Sequence, residues 1–218
     1  MISTAQLIDK LTAAARPVRR LRPPGLRAAL WLVGFVALAA VLISARHAWS
    51  VPAARAQPGL MAAMVGAALT GVAAVLAAFN LALPDRSRWW MLAPLPGLAL
   101  WLGASGVGCY HSWLLVGSRQ SLALGDSAHC FLFILGVSVP VSLALYLPLR
   151  RALPLYPLSV LLTGALGVAA LTAVALQFFH PFDITVMDLA AHLAAVLMAV
   201  GIAALLGGPM LRRAPKPL

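Results

Sequence analysis

Glutamate is missing from the 218 residues, and aspartate occurs only five times, at positions 9, 85, 126, 183 and 188. With so few carboxylates, no Gly-x-Ser-x-Gly elbow and no phosphate-cradling glycine loop, the chain lacks the machinery of hydrolysis or phosphoryl transfer and reads as a non-enzyme. Cysteine is equally scarce: Cys109 and Cys130 are the two present, and no Cys-x-x-Cys or His-Glu-x-x-His metal motif occurs. Charged residues make up 10% of the chain, too few to solvate the surface of a soluble domain. They are also absent from the middle of the apolar runs, where the polar side chains are scattered ones such as Asn80, Ser138, Ser142 and Thr172. A solute carrier or channel needs polar groups through the bilayer, so that class is disfavoured.

What is abundant is hydrophobic sequence, 62% of residues. The pattern predicts an all-α membrane protein with six transmembrane helices, at about 28–46, 59–83, 89–110, 129–149, 157–179 and 187–208, each near the roughly 20 residues that span a hydrocarbon core. Residues 28–210 form one transmembrane domain, since no loop is long enough to fold alone, followed by a short basic tail at 211–218. Gly66-Ala-Ala-Leu-Thr-Gly71 and Gly164-Ala-Leu-Gly167 permit close backbone approach between helices. Pro94, Pro96, Pro140 and Pro148 fall inside expected spans and predict local kinks. Trp49, Trp89, Trp90 and Trp113 fall at span ends as interfacial anchors.

Residues 1–27 are different in kind: Lys10, Arg16, Arg19, Arg20, Arg22 and Arg27 stand against the single Asp9, and Pro17, Pro23 and Pro24 break the segment. Its first part offers a Ser/Thr N-cap and Leu7, Ile8, Leu11, Ala14 and Ala15 at helical spacing, which predicts a short amphipathic helix. By charge alone the segment fits a membrane-surface helix or a topogenic flank slightly better than a binding element. A basic region before an apolar run, with Ala54-Arg55-Ala56 downstream, resembles a signal peptide, but the run is too long for a signal core and the charged arm too extended. Of the 16 Lys and Arg residues, 13 fall on one side of the expected spans and Arg46, Arg55 and Arg119 on the other, so both termini are expected in the cytoplasm. The net charge of +11 is then a topology signal plus attraction to anionic headgroups, and it argues for no direct nucleic-acid contact.

That orientation places all five histidines (47, 111, 129, 180 and 192), both cysteines, Asp126, Asp183 and Asp188 on or near the outer side. The stretch His180-Pro-Phe-Asp-Ile-Thr-Val-Met-Asp-Leu-Ala-Ala-His192 sets Asp188 and His192 four apart, on one face of a helix. Asp126, His129 and Cys130 have i, i+3, i+4 spacing at the start of the fourth helix, so one face presents carboxylate, imidazole and thiol. No cofactor is assigned, but this donor combination suits zinc or copper as a sensed ion. Plainer roles exist for each: Asp183 and Asp188 suit helix N-caps, a lone cysteine in a membrane helix is commonly a small apolar filler, and His47 and His111 suit interfacial anchors. Cys109 and Cys130 sit where a disulfide is allowed, but spacing does not decide whether one forms. A competing reading is a b-type haem or metal-binding electron-transfer protein that uses outer-rim histidines, with His129 and His192 as axial ligands.

Two separated parts of the chain carry a family likeness. The arm from Leu7-Ile-Asp-Lys-Leu through Pro17-Val-Arg-Arg-Leu-Arg-Pro-Pro24, together with Cys130 through Pro140, Leu149-Arg-Arg-Ala-Leu-Pro154, Gly164-Ala-Leu-Gly167 and the His180 loop, resembles the NrsF-like family of six-helix membrane anti-sigma factors. The resemblance implies residence in the bacterial inner membrane. It also implies an extracytoplasmic-function sigma factor as partner, held by the N-terminal segment, with Leu7, Ile8, Leu11, Arg19 and Arg20 as its contact residues. It further implies that Cys130 is a periplasmic cysteine that senses metal or oxidative stress. The family commonly has His-Cys-Pro between its fifth and sixth helices, whereas His180 here is followed directly by Pro181. Either Cys109 supplies the second thiol, or the site is a His/Asp/Cys set drawing on His180, Asp183, Asp188 and His192.

Overall fold

The structure, a computed structural model, describes residues 3–14, 21–45, 59–116, 125–179, 190–191, 193–202 and 205, with backbone alone at 112, 115, 116 and 125–130. Among the described residues there are seven α-helices and no strand: α1 (Thr4–Ala13), α2 (Pro24–Ala45), α3 (Leu60–Leu81), α4 (Leu95–Val116), α5 (Gly125–Leu149), α6 (Pro157–Leu176) and α7 (Leu193–Ile202). Among the described residues five stretches are long and apolar enough to cross a membrane: Pro24–Ala45, Leu60–Leu81, Arg88–His111, Phe131–Ala152 and Pro157–Leu176. The ten described residues of α7 fall short of a span, and the rest of the sixth expected helix lies largely outside the described residues.

Proline marks the helix starts. Pro24 opens α2 and Pro157 opens α6, positions where the missing N–H has no partner to lose and the fixed φ suits the first turn. The same rule corrects the expectation for Pro94 and Pro96. The third expected span, 89–110, opens as a 3-10 helix, Arg88–Leu92, and α4 begins only at Leu95. Pro94 therefore stands just before the helix and Pro96 in its first turn, at the entrance and not in the middle, whereas Pro140 and Pro148 do lie inside α5.

Helix α3 is the hub. It packs against α6, α4, α2 and the 3-10 helix, while α5 packs on the other flank of α6. Close approach depends on absent side chains. A Cβ on Gly66 would stand 2.5 Å from the Trp101 nitrogen of α4, and one on Gly97 would stand 2.6 Å from the Thr70 nitrogen of α3. At the α3–α6 crossing, Gly71 faces Leu171, and a Cβ on Gly167 would meet the Val75 nitrogen at 3.0 Å. The two glycine motifs read from the sequence are thus contact points of the bundle, as small residues are between helices in lipid. Around them Val75, Phe79, Leu145, Leu149, Leu161 and Val168 form the main buried cluster, and Ile134, Leu176 and Ala195 form a second. Of the five candidate spans α2 is the least covered, with Leu30, Val33, Val36 and Val41 exposed along it.

The neighbours run antiparallel, which sorts the helix ends. Gly59 approaches Ala104 and Gly108 while Gly66 approaches Trp101, and Tyr146 bonds to Leu161 while Phe133 meets Phe179 with ring centroids 5.4 Å apart. One end of the bundle therefore gathers the start of α3, the end of α4, the start of α5 and the end of α6. The opposite end, which α1 precedes in the sequence, gathers the starts of α2 and α6 with the ends of α3 and α5.

Candidate functional site

Helix α1 has the expected N-terminal chemistry. The Ser3 hydroxyl accepts from the Gln6 N–H at 3.3 Å, and the Gln6 side-chain carbonyl accepts from the Ser3 N–H at 3.1 Å, a reciprocal capping box. Lys10 lies in the last turn, where a cation favours the negative helix end. Among the described residues nothing covers the helix: residues 3–14 are all exposed, including Leu7 at 47%, Ile8 at 54% and Leu11 at 63%. A ten-residue helix is marginal in water by itself, and a cap contributes about 1 kcal/mol, so its lasting order requires cover on the apolar stripe. Arg19 and Arg20, the other expected partner contacts, lie outside the described residues.

The arm joins the bundle through a contact that spacing did not reveal. Arg27, counted from sequence as part of the arm, stands in the first turn of α2 and is half-buried. Its Nη2 donates to the carbonyl of Pro148 near the end of α5, and its guanidinium carbon lies 5.2 Å from the Phe79 ring centroid. Its Nη1 is buried with no hydrogen-bond partner among the described residues. The available signal was an ionisable residue one turn inside an apolar helix, which predicts an inward-facing group with a partner but does not name the partner. A second contact missed from sequence is Arg88, whose guanidinium lies 3.7 Å over the Tyr156 ring and clasps the α3–α4 connection to the α5–α6 connection.

The opposite end carries four of the expected sensing residues, Cys109 near the end of α4 and Asp126, His129 and Cys130 at the start of α5. Helix α5 begins at Gly125, so Asp126, His129 and Cys130 fall in its first two turns, as their spacing predicted. Their side chains lie outside the described ones, as do His180, Asp183, Asp188 and His192 altogether. Cys109 is buried in α4 and His111, two residues on, is exposed. Helix polarity brings the end of α4, the start of α5 and the end of α6 to this same rim. Among the described residues no three His, Cys, Asp or Glu side chains converge, and Cys109 is the one expected donor whose side chain is among them.

The model of a family described as negative regulator of sigma F, NrsF, matches residues 11–212. The chain belongs to the NrsF family. No curated protein and no solved structure matches it. The NrsF match takes in both ends of the bundle, the Arg27 joint and the stretch from His180 to His192, and it begins partway along α1, so that Leu11 lies within it and Leu7 and Ile8 precede it.

Proposed function

We propose that the chain is a multi-pass anti-sigma factor of the bacterial inner membrane, with six spans and both termini cytoplasmic. Residues 1–27 sequester an extracytoplasmic-function sigma factor, and residues 28–210 release it when the periplasmic rim meets metal or oxidant. The observation that carries this reading is α1, which is capped yet exposed on every side, with Leu7, Ile8 and Leu11 uncovered, in a family described by negative regulation of a sigma factor. Such a stripe fits helix-in-groove recognition, in which spaced apolar side chains anchor an amphipathic helix in a partner.

The rim supplies the signal in this reading. Cys130 acts with His180, Asp183, Asp188, His192, His129 and Asp126, and with Cys109 as a second thiol. Thiolate and imidazole donors suit copper or zinc, and the same thiolates are the groups an oxidant attacks. The protein works by differential binding and not by catalysis. A rim ligand shifts the arm only by the difference between its affinities for two bundle states. Helix α5 is the natural carrier of that difference, because it runs from Cys130 at the rim to Pro148, the residue Arg27 holds at the base of the arm.

The test replaces Leu7, Ile8 and Leu11 together by Asp in the full chain and measures copurification of the sigma factor from the membrane fraction. The expected result is loss of the sigma factor with unchanged membrane yield of the variant. Copurification at wild-type yield would overturn the reading.

A further inference from the structure

The arm end of the bundle carries more than the arm. Arg86 and Arg88 lie in the α3–α4 connection, Arg150 and Arg151 lie in the α5–α6 connection, and all four are exposed. Among the described residues of these two connections, Asp85 is the one carboxylate, and none of Arg86, Arg150 or Arg151 is paired with it. The two connections form one surface because Arg88 sits over Tyr156. That surface is apolar as well as basic, with Trp89 77% and Leu155 67% exposed. A mixed patch of arginine and aromatic or aliphatic side chains has the composition of a protein interface, in which arginine and tryptophan are favoured anchors.

The base of the arm stands on this same end, since Arg27 holds Pro148 two residues before Arg150. Ten residues separate the end of α1 from the start of α2, a reach of at most about 35 Å when fully extended. A folded partner seated on α1 is therefore kept within one protein diameter of the patch, and any second contact is made at the high effective concentration of a short tether. We propose that the clasped connections form a second docking surface for the protein held by the arm, and that this surface takes an acidic face of that partner. The proposal rests on the anti-sigma reading and its orientation, and it adds that the bundle itself contributes affinity and on-rate. Opposed charges steer encounter, so the contribution is strongest at low salt.

The experiment uses the full chain in nanodiscs of neutral phosphatidylcholine, where lipid charge contributes nothing, and the separately purified sigma factor that copurifies with it as probe. Affinity is measured from low to high salt for the wild type, for the double variant Arg86→Glu/Arg150→Glu, and for the milder Arg86→Gln/Arg150→Gln. The glutamate pair is expected to weaken binding about tenfold or more at low salt and to flatten the salt dependence, with the glutamine pair intermediate and melting temperatures unchanged. Wild-type affinity and salt slope in both pairs would overturn the proposal and leave these arginines to lipid headgroups. The Leu7/Ile8/Leu11→Asp variant run alongside separates the two ideas. Loss of binding there with no effect of the arginine pairs sinks the docking surface alone, whereas retained binding there sinks the role of the arm.

Discussion

At the scale of single residues, Arg27 holds a position that a topological count treats as ordinary. Its guanidinium meets one carbonyl and one aromatic face, and its Nη1 lacks a partner among the described residues. The stem also packs, because long basic side chains bury their methylenes along apolar surface. Arg27→Ala should therefore lower stability by about 1–3 kcal/mol, the range for losing a charged hydrogen bond, read as a lower melting temperature of the detergent-solubilised chain. Arg27→Lys should fall between the two, since an ammonium keeps the charge but not the planar group that serves Pro148 and Phe79 together. Equal melting temperatures for Ala and wild type would show that the joint contributes nothing. At the rim, Cys130→Ser and His192→Ala are each expected to abolish the response of a sigma-dependent reporter to metal or oxidant while leaving basal repression intact. Loss of basal repression together with reduced protein would mark both as structural, and an unchanged response in both would return attention to Cys109.

Helix crossings give a graded series, because the glycines differ in what an added methyl would strike. At Gly66 and Gly97 the obstacle is backbone, Trp101 nitrogen at 2.5 Å and Thr70 nitrogen at 2.6 Å, and backbone yields only if α3 and α4 move apart. At Gly164 it is the Leu145 and Tyr146 side chains, at 3.2 and 3.3 Å, which have room to adjust. Gly34 in α2 meets nothing within 4 Å. Alanine at Gly66 or Gly97 should then destabilise by about 1–3 kcal/mol, at Gly164 by less, and at Gly34 not at all, where the better helix propensity of alanine gives a slight gain. A flat series of melting temperatures would contradict the crossings described. The glycine motifs around 66–71 and 164–167 were legible in sequence because lack of a side chain in an apolar helix has few other uses. Their partners were not, since Trp101, Val75 and Leu171 are selected by the angle at which whole helices cross. The same limit explains α4: hydropathy located the third span, but the stop at Leu92 and restart at Leu95 depend on prolines whose role as entrance and not kink is decided by where the helix begins. The Ser3–Gln6 box, by contrast, is local chemistry and was readable as an N-cap.

For the whole molecule, the decisive quantity is which end faces the cytoplasm, since it assigns the arm to one compartment and the donors to the other. The antiparallel packing settles that Arg27, Arg86, Arg88, Arg150 and Arg151 share one end and that Cys109 and the start of α5 share the opposite one. The basic residues then orient the bundle: the 13 to 3 imbalance across the six expected spans favours the arginine-rich end as cytoplasmic. Single-cysteine probes test this directly in a background with Cys109 and Cys130 replaced by alanine. Ser87 caps the 3-10 helix at the arm end and is exposed, so Ser87→Cys presents a thiol there at the cost of one weak cap. Ser118→Cys places the other probe two residues beyond the end of α4 in the sequence. A thiol reagent that does not cross membranes should label intact cells at position 118 and miss position 87 until the membrane is permeabilised. The reverse pattern would put the expected donors in the cytoplasm, where thiols are kept reduced, and the arm on the far side of the membrane from any sigma factor, against the proposed function.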